Sequence, residues 1–444
     1  MHLIRPNLRH HCPTAYTATG STIHTNDDRT ILDACSGAIA CSLGYGHEYI
    51  LARMTEQAQK LSAGYRTQFL NLPAEQLADR LCRKLGYAGA FFVNSGSEAV
   101  EAACRTAIQY WDEVGLPKKK HILSRTISYH GSTQASLTLS GHWPRRRGVC
   151  NPAQRPTLPT PYCYRCPYGK TPKSCQLACA QALEVELGEV GSDAIAALLI
   201  EPITGASGAA ITPPAGYLEK IRDICNRHDI LLIADEVLTG LGRTGSWLAM
   251  EHGDVKADIS VLGKGLNAGY FPFSCLLVSE TIKEAIELGT GLFSYGHTHS
   301  NHPVGAAVGN AVLDVLETEA LVELSASRAT IIESHLRRCM ETSDLIGEVR
   351  GKGLFWGLEI VRDKRSKRTF PQRANVAEKL VGHALEKGLN LYPASGFAAH
   401  EHGDALIFAP ALNTPQTVLE DMLSLLDEVI RSAPYDLRRE SLHD

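Results

Sequence analysis

Three short apolar runs of this 444-residue chain each end in a residue that can do acid–base or nucleophilic chemistry. The runs AALLI, ILLIA and ISVL precede Glu201, Asp235 and, after one glycine, Lys264. Continuous apolar runs of this length are typical of parallel strands that are buried on both faces. Ligands bind outside the carboxyl ends of the strands in an open parallel sheet. We therefore expect the two acids and the lysine to meet in one crevice.

The types of these residues fit one kind of cofactor chemistry. Lys264 lies between two glycines, where a flat ligand can approach, and burial would lower its pKa toward that of a nucleophilic amine that forms a Schiff base. A buried carboxylate such as Asp235 keeps a pyridine nitrogen protonated, as pyridoxal phosphate requires. Residues 94–98 (NSGSE) follow a predicted strand and open a predicted helix, whose backbone amides can hold a phosphate.

The elements that must position these residues alternate along the chain. Strand-like runs alternate with amphipathic stretches up to about residue 320, which predicts an α/β fold with a doubly wound, mostly parallel sheet and helices on both faces. After residue 320 a long helix, a strand and two further helices predict a smaller α+β domain. The predicted divisions are an N-terminal segment over 1–60 that packs with the small domain, a large domain over 61–320 and a small domain over 321–444.

The motifs together resemble the class III aminotransferases, which are pyridoxal-phosphate enzymes of fold type I. The resemblance rests on seven segments in family order, which span most of the chain. They are NSGSEAVEAA (94–103), SYHGST (128–133), EPITGASG (201–208), LLIADEVLTGLGRTG (231–245), LGKGLNAGYFP (262–272), YGHTHSNHPVG (295–305) and RGKGLFWGLEI (350–360).

The resemblance implies a role for each site residue. Lys264 would carry the cofactor and move the proton, and Asp235 would pair with the pyridine nitrogen. The remaining cofactor-binding residues would be Gly96 and Ser97 at the phosphate, Tyr129 and Val237 on the two faces of the ring, His130 beside them, Glu201 near the ring substituents, and Thr298 reaching the phosphate of the neighbouring subunit. A homodimer with active sites at the subunit interface follows from the last of these roles.

The sequence departs from the family pattern where the substrate carboxylate would bind. Family members that act on ornithine-like substrates often carry a glutamate where this chain has Ala206, and an arginine where Ile407 stands. Leu238 also replaces a frequent glutamine. These departures favour an ω-amino acid, an amine or a bulkier donor over ornithine or acetylornithine. Arg66, Arg243 or Arg350 could hold a carboxylate instead, and the sequence does not choose among them.

The predicted activity is transfer of an amino group from such a donor to an oxo acid such as pyruvate or 2-oxoglutarate. A racemase, epimerase or decarboxylase of the same family is the alternative, because it would use the same lysine and cofactor. A catalytically inactive binding scaffold is disfavoured by the intact set of Lys264, Asp235, Gly96 and Ser97.

Composition limits the partners and the compartment. The formal net charge is −4, so no basic excess points to nucleic acid or to an anionic membrane. No apolar run reaches the length that spans a bilayer, and the first residues lack the pattern of a secretory signal. The 13 cysteines are scattered through predicted core elements, which is typical of reduced thiols in a cytoplasmic enzyme.

One group of cysteines has a spacing of its own. Cys163, Cys166, Cys175 and Cys179 follow the pattern C-x2-C, eight residues, C-x3-C. Four thiolates at such spacings can bind zinc, although local disulfides or free thiols fit the sequence as well. No metal is expected at the catalytic site.

Overall fold

The structure is a computed structural model that describes residues 2–4, 12–151, 156–398 and 402–433. Its strands, numbered along the chain, are β1 Ala15–Thr19, β2 Thr22–Thr25, β3 Thr30–Asp33, β4 Gly89–Val93, β5 His121–Leu123, β6 Ile195–Ile200, β7 Leu231–Asp235, β8 Ile259–Leu262, β9 Ser274–Val278, β10 Ile346–Lys352, β11 Phe355–Ile360, β12 Leu389–Asn390, β13 Tyr392–Ser395 and β14 Asp404–Phe408.

Thirteen helices of very different lengths connect these strands in the described part of the chain. They are α1 Ser36–Ile39, α2 Glu48–Lys60, α3 Leu72–Leu85, α4 Gly96–Glu113, α5 Gln134–Leu139, α6 Trp143–Arg146, α7 Ala178–Val190, α8 Tyr217–Arg227, α9 Glu280–Leu288, α10 Pro303–Thr318, α11 Leu321–Thr342, α12 Val376–Glu386 and α13 Gln416–Arg431. Within the described residues, no helix has both the length and the apolar character needed to cross a membrane.

A six-stranded sheet forms the centre of the fold, in the order β4-β9-β8-β7-β6-β5. Strands β5, β6, β7 and β8 pair in parallel, whereas β9 is antiparallel to both β4 and β8. Every residue of β6, β7 and β8 is buried because helices cover both faces. The predicted fold class is confirmed, and β9 is the one strand that opposes the others.

Two four-stranded sheets complete the described structure. The first has the order β10-β11-β14-β13 and is antiparallel throughout. The second has the order β1-β2-β3-β12, so N-terminal strands share a sheet with a strand from the C-terminal part of the chain. Leu389 and Asn390 pair in parallel with Leu32 and Asp33. The divisions at residues 60 and 320 remain a prediction.

Helix α4 shows how the local sequence fixes the position of a helix N-terminus at the site. The Ser95 side chain caps this helix by accepting a hydrogen bond from the amide of Glu98 at 3.2 Å. The Glu98 carboxylate in turn accepts from the amide of Asn94 at 2.9 Å. These bonds satisfy amides that a helix N-terminus otherwise leaves unpaired, and they start the helix at Gly96. The free amides of its first turn therefore face the carboxyl end of the sheet.

Candidate active site

A cavity of about 400 Å³ lies at the carboxyl ends of β6, β7 and β8. It contains all the predicted site residues except Thr298. Its lining consists of Ala38, Gly96, Ser97, Tyr129, His130, Gly131, Arg145, Glu201, Ile203, Ala206, Asp235, Val237, Leu238, Thr239, Lys264 and Tyr392. The expected meeting of Glu201, Asp235 and Lys264 in one crevice at the strand ends is therefore observed.

Asp235 is the last residue of β7 and is 5% exposed. Its Oδ2 atom lies 2.7 Å from Nδ1 of His130, which is also buried. Its Oδ1 atom accepts a hydrogen bond from the amide of Val237 at 3.2 Å. The amide of His130 donates to the Ser140 hydroxyl at 2.8 Å and holds the imidazole in place. The carboxylate is therefore buried, oriented and hydrogen-bonded.

Glu201 follows β6 and joins two loops through its two carboxylate oxygens. The Oε2 atom accepts from the amide of Tyr129 at 3.2 Å, and Oε1 accepts from the amide of Gly205 at 3.0 Å. Burial raises the pKa of Glu201, and the charge of Asp235 raises it as well, whereas His130 lowers it. This side chain fixes where the Tyr129 loop crosses the cavity.

Lys264 begins a short 3₁₀ turn directly after β8, and its backbone is in the left-handed region with φ of 37°. Burial lowers the pKa of Lys264 from 10.5 to about 8. The carboxylates of Asp235 and Glu201 oppose this shift, and the positive charge of Arg145 adds to it. A substantial fraction of the amine is therefore uncharged at neutral to mildly alkaline pH, which is the form that attacks a carbonyl.

Gly96 and Ser97, at the start of α4, form an anion cradle together with Gly131. The Ser97 hydroxyl accepts a hydrogen bond from the amide of Ser132 at 3.0 Å, which joins the helix to the next loop. A Cβ atom at Gly131 would lie 2.5 Å from this hydroxyl, so the loop approaches the helix as only a glycine permits. The helix N-terminus and these amides can bind a phosphate.

Tyr129 and Arg145 stack on one another at the cavity wall. The Arg145 guanidinium carbon lies 4.0 Å from the centre of the Tyr129 ring. One nitrogen of Arg145 donates to the Tyr392 hydroxyl at 3.3 Å, and another, Nη1, is buried without a hydrogen-bond partner. Arg145 is thus a cation whose second amino group has no acceptor yet, and the sequence analysis missed it.

The three arginines that the sequence offered for a carboxylate do not line the cavity. Arg350 is buried and forms ion pairs with Glu348 and Glu359, both at 2.5 Å. Arg243 donates to the backbone oxygens of Leu354 and Pro410. The Arg66 guanidinium stands over the Phe91 ring at 5.5 Å from its centre. Among the arginines of the described residues, Arg145 is the one that lines the cavity.

The side of the cavity where the family pattern changes is apolar. Ala206 and Leu238 line it, and Ile407 lies fully buried in the same apolar cluster as Ala206. Thr298 is exposed on the loop before α10 and lies outside the cavity of its own chain. Its expected role requires a second chain and remains a prediction.

Comparison with known proteins identifies the family of this chain. A sequence model of the class-III aminotransferases matches residues 6–430. The uncharacterized aminotransferase YodT of Bacillus subtilis is 40% identical over 442 residues, which cover 99% of each chain. This chain belongs to the class-III aminotransferases. The aminotransferase is also 33% identical over 427 residues to a putrescine–pyruvate aminotransferase of Pseudomonas aeruginosa, covering 92% of this chain and 88% of the relative.

Solved structures agree with this assignment. An amine transaminase from an uncultivated Pseudomonas species, solved with pyridoxal phosphate bound, superimposes with a TM-score of 0.90 and 30% identity over 98% of each chain. An (S)-enantioselective omega-transaminase from Thermomicrobium roseum superimposes with a TM-score of 0.89 and 30% identity, covering 98% of this chain and 96% of the other. The fold is therefore that of fold-type-I transaminases, and the enzyme is a pyridoxal-phosphate-dependent transaminase.

The low pKa of Lys264 can be tested without turnover. In the cofactor-free protein, we expect trinitrobenzenesulfonate to label Lys264 at a rate that rises with pH through about 8, because only the uncharged amine reacts. Arg145→Met removes a positive charge and should move this midpoint to higher pH, whereas Arg147→Met, at an exposed neighbour, should not. Peptide mapping follows the label, and a midpoint near that of ordinary surface lysines would contradict the assignment.

Proposed function

We propose that this aminotransferase takes an amino group from an ω-amino acid or a primary amine and transfers it to an oxo acid, with pyridoxal phosphate in the described cavity. One observation carries the proposal. Lys264, with its low pKa, the buried Asp235 and the N-terminus of α4 all line the same cavity. A nucleophilic amine, a fixed anion and an anion-binding helix end are the three groups that the cofactor requires.

The residues present fit the cofactor. The α4 amides at Gly96 and Ser97 would receive the phosphate, and Asp235 would face the pyridine nitrogen. His130 would hold Asp235 in position through their 2.7 Å contact. Tyr129 and Val237 line the space between these groups and would pack on the two faces of the ring. Glu201 would act indirectly, because its carboxylate holds the backbone of Tyr129.

When bound, pyridoxal phosphate supplies the electron sink that stabilises negative charge on the substrate carbon. The chain supplies the proton transfer. With a pKa of about 8, the Nζ atom of Lys264 can accept a proton and return it near neutral pH. The buried Asp235 presents a fixed carboxylate to the cavity.

The cavity wall supports an ω-type donor. Ala206 and Leu238 line the cavity and offer no polar group to an α-carboxylate, which favours a longer or apolar donor. Ile407 is buried in the apolar cluster that contains Ala206. Arg145 would bind the carboxylate of the oxo acid or the distal carboxylate of an ω-amino acid through Nη1. The relatives include a putrescine–pyruvate and a diaminobutyrate–2-oxoglutarate transaminase. Because the named relatives are aminotransferases, amino-group transfer is favoured over the racemase or decarboxylase alternative.

Two adjoining segments support a homodimer. Residues 61–72 expose large apolar side chains, among which Phe69 is 67% and Leu70 is 77% exposed. The Asn71 amide side chain donates to the backbone oxygen of Asn301 at 2.8 Å and ties this segment to the loop that carries Thr298. An apolar surface of this kind is typical of a protein interface. A second copy covering it would bring Thr298 close to the partner's cavity.

The cofactor assignment predicts the site of covalent attachment. We expect the purified enzyme to absorb at roughly 410–430 nm and borohydride to fix the cofactor on Lys264. Lys264→Ala should abolish turnover and the borohydride-stable label, while phosphate contacts retain some cofactor. Peptide mapping is the measurement, and a label on any other lysine would refute the assignment.

The dimer proposal predicts complementation between two inactive chains. Lys264→Ala removes the amine, and Thr298→Asp places a negative charge against the partner's phosphate. A heterodimer of the two has one site with both Lys264 and Thr298 intact. We therefore expect half the activity per dimer of the wild type in heterodimers isolated through two affinity tags. Verified heterodimers that stay inactive would show that Thr298 serves no neighbouring site.

The substrate proposal predicts a preference among donors. With one oxo-acid acceptor, we expect a higher kcat/KM for ω-amino acids or primary amines than for ornithine or acetylornithine. An arginine–carboxylate pair contributes about 1.5–3 kcal/mol. With Ile407 in place of the arginine, we expect the affinity for an α-carboxylate to fall by roughly 10- to 100-fold. A tenfold advantage for acetylornithine would show that this interpretation of Ala206 and Ile407 is wrong.

A variant of Arg145 tests the carboxylate site separately. Arg145→Met should raise KM for the oxo acid by roughly 10- to 100-fold, with a smaller change in KM for a primary amine that has no carboxylate. Arg147→Met is the matched control, because Arg147 is exposed and does not line the cavity. Equal losses for both substrates would assign Arg145 a structural role.

A further inference from the structure

We propose that the loop before α7 and the first turn of that helix bind one structural zinc ion through Cys163, Cys166, Cys175 and Cys179. Their spacing, C-x2-C and C-x3-C separated by eight residues, brings two short pairs together within one loop. Such pairs provide the four thiolates of a closed tetrahedral zinc site. The site lies outside the catalytic cavity, and it does not depend on the proposed donor.

The structure brings all four cysteines to one small cavity. Its volume is about 20 Å³, which is enough for about one water-sized sphere. Prolines at both ends of the loop close it, together with Pro214 from the segment before α8. All four cysteines are free thiols. The fold alone therefore places all four cysteines in the wall of one cavity.

Burial raises the pKa of the Cys163 and Cys179 thiols, so an ion that binds here must displace their protons. Lys170 contributes to the wall and would offset the net negative charge of a zinc ion with four thiolates. Cys179 lies in the first turn of α7, where the unpaired backbone amides of a helix N-terminus stabilise negative charge. Binding transfers no electrons, because each thiol loses its proton to solvent and its sulfur forms a bond to the ion.

The four sulfur atoms would have to move inward to bind one ion. Among the described residues, only His335, Cys339 and Asp427 already have three ligand atoms within 4.8 Å of one another. The loop thiols are therefore wider apart than in a bound site, where each sulfur lies ~2.3 Å from the ion. Rotation about a cysteine Cα–Cβ bond moves the sulfur by a few ångström, so no change of fold is needed.

The group of His335, Cys339 and Asp427 is the weaker candidate despite its shorter distances. Burial raises the pKa of Cys339 to about 12, and the neighbouring cations Arg338 and Arg431 would repel a metal ion. Arg338 in addition lies 3.3 Å from Nδ1 of His335. The loop has four thiols and one cation in its wall, whereas this group has one thiol beside two cations.

A zinc ion here would stiffen a contact between the loop and the C-terminal sheet. Within the loop, Arg165 donates to Glu359 of β11 at 2.6 Å and to the backbone oxygen of Lys367 at 2.7 Å. The Tyr162 hydroxyl also donates to Glu359. Because Glu359 is fully buried, its position depends on these donors and on Arg350. The ion would hold the loop that delivers two of them.

The proposal is tested on the purified holoenzyme after expression with zinc and removal of loose metal by gel filtration. Inductively coupled plasma mass spectrometry should find one zinc per chain, and a mercurial should release it to a chromogenic chelator. Cys166→Ser and Cys175→Ser should each lose it. Cys339→Ser is the matched control and should retain it, because Cys339 belongs to the other group.

A thiol count separates the remaining outcomes. In denaturant with chelator and no reductant, the zinc form should show all 13 thiols. Thirteen thiols without zinc, or fewer than 13 because disulfides have formed, would overturn the proposal. Iron in place of zinc, or zinc lost only from Cys339→Ser, would overturn it as well. The zinc content and the thiol count of the wild-type protein test the proposal even if a cysteine variant fails to fold.

Discussion

Burial of charged groups at the ends of β6, β7 and β8 is the constraint on which the rest of the site depends. Removal from water disfavours the charged form of any group, so it shifts the pKa of an amine and that of a carboxylic acid in opposite directions. It lowers the pKa of Lys264 to about 8 and raises the pKa of Glu201. An uncompensated buried charge costs several kcal/mol, so each acid needs donors that the fold supplies in advance. The His130 side chain and backbone amides meet that need.

The same constraint explains the packing around the cavity. Val237 packs so closely on two segments that a Cβ atom at Gly96 or at Gly263 would lie 3.1 Å from its side chain. These glycines let the start of α4 and the end of β8 both approach Val237, which follows β7 by two residues. The phosphate cradle, the lysine and the carboxylate therefore come within reach of one small cofactor. Their spacing depends on backbone contact, which rigidifies the site more than long side chains would.

The sequence predicted the central strands within one residue at most of their ends, because strands buried on both faces are continuous apolar runs. The common cavity of Glu201, Asp235 and Lys264 could be predicted for a related reason, since the topology brings strand ends together. The opposed direction of β9 was not predicted, and β5 ends already at Leu123. Strand direction and early strand termination depend on the neighbouring segments, which local residue patterns do not describe.

Arg145 was missed for a different physical reason. It lies in α6, a helix of only 4 residues, where no periodicity indicates which way a side chain points. An arginine that lies far in sequence from the other site residues is available to a ligand only if no carboxylate of the protein pairs with it in the fold. Arg350 faces Glu348 and Glu359, and burial with those partners fixes it in a structural role. Arg145 instead faces an aromatic ring and a hydroxyl, so its charge remains uncompensated and its free nitrogen favours a carboxylate.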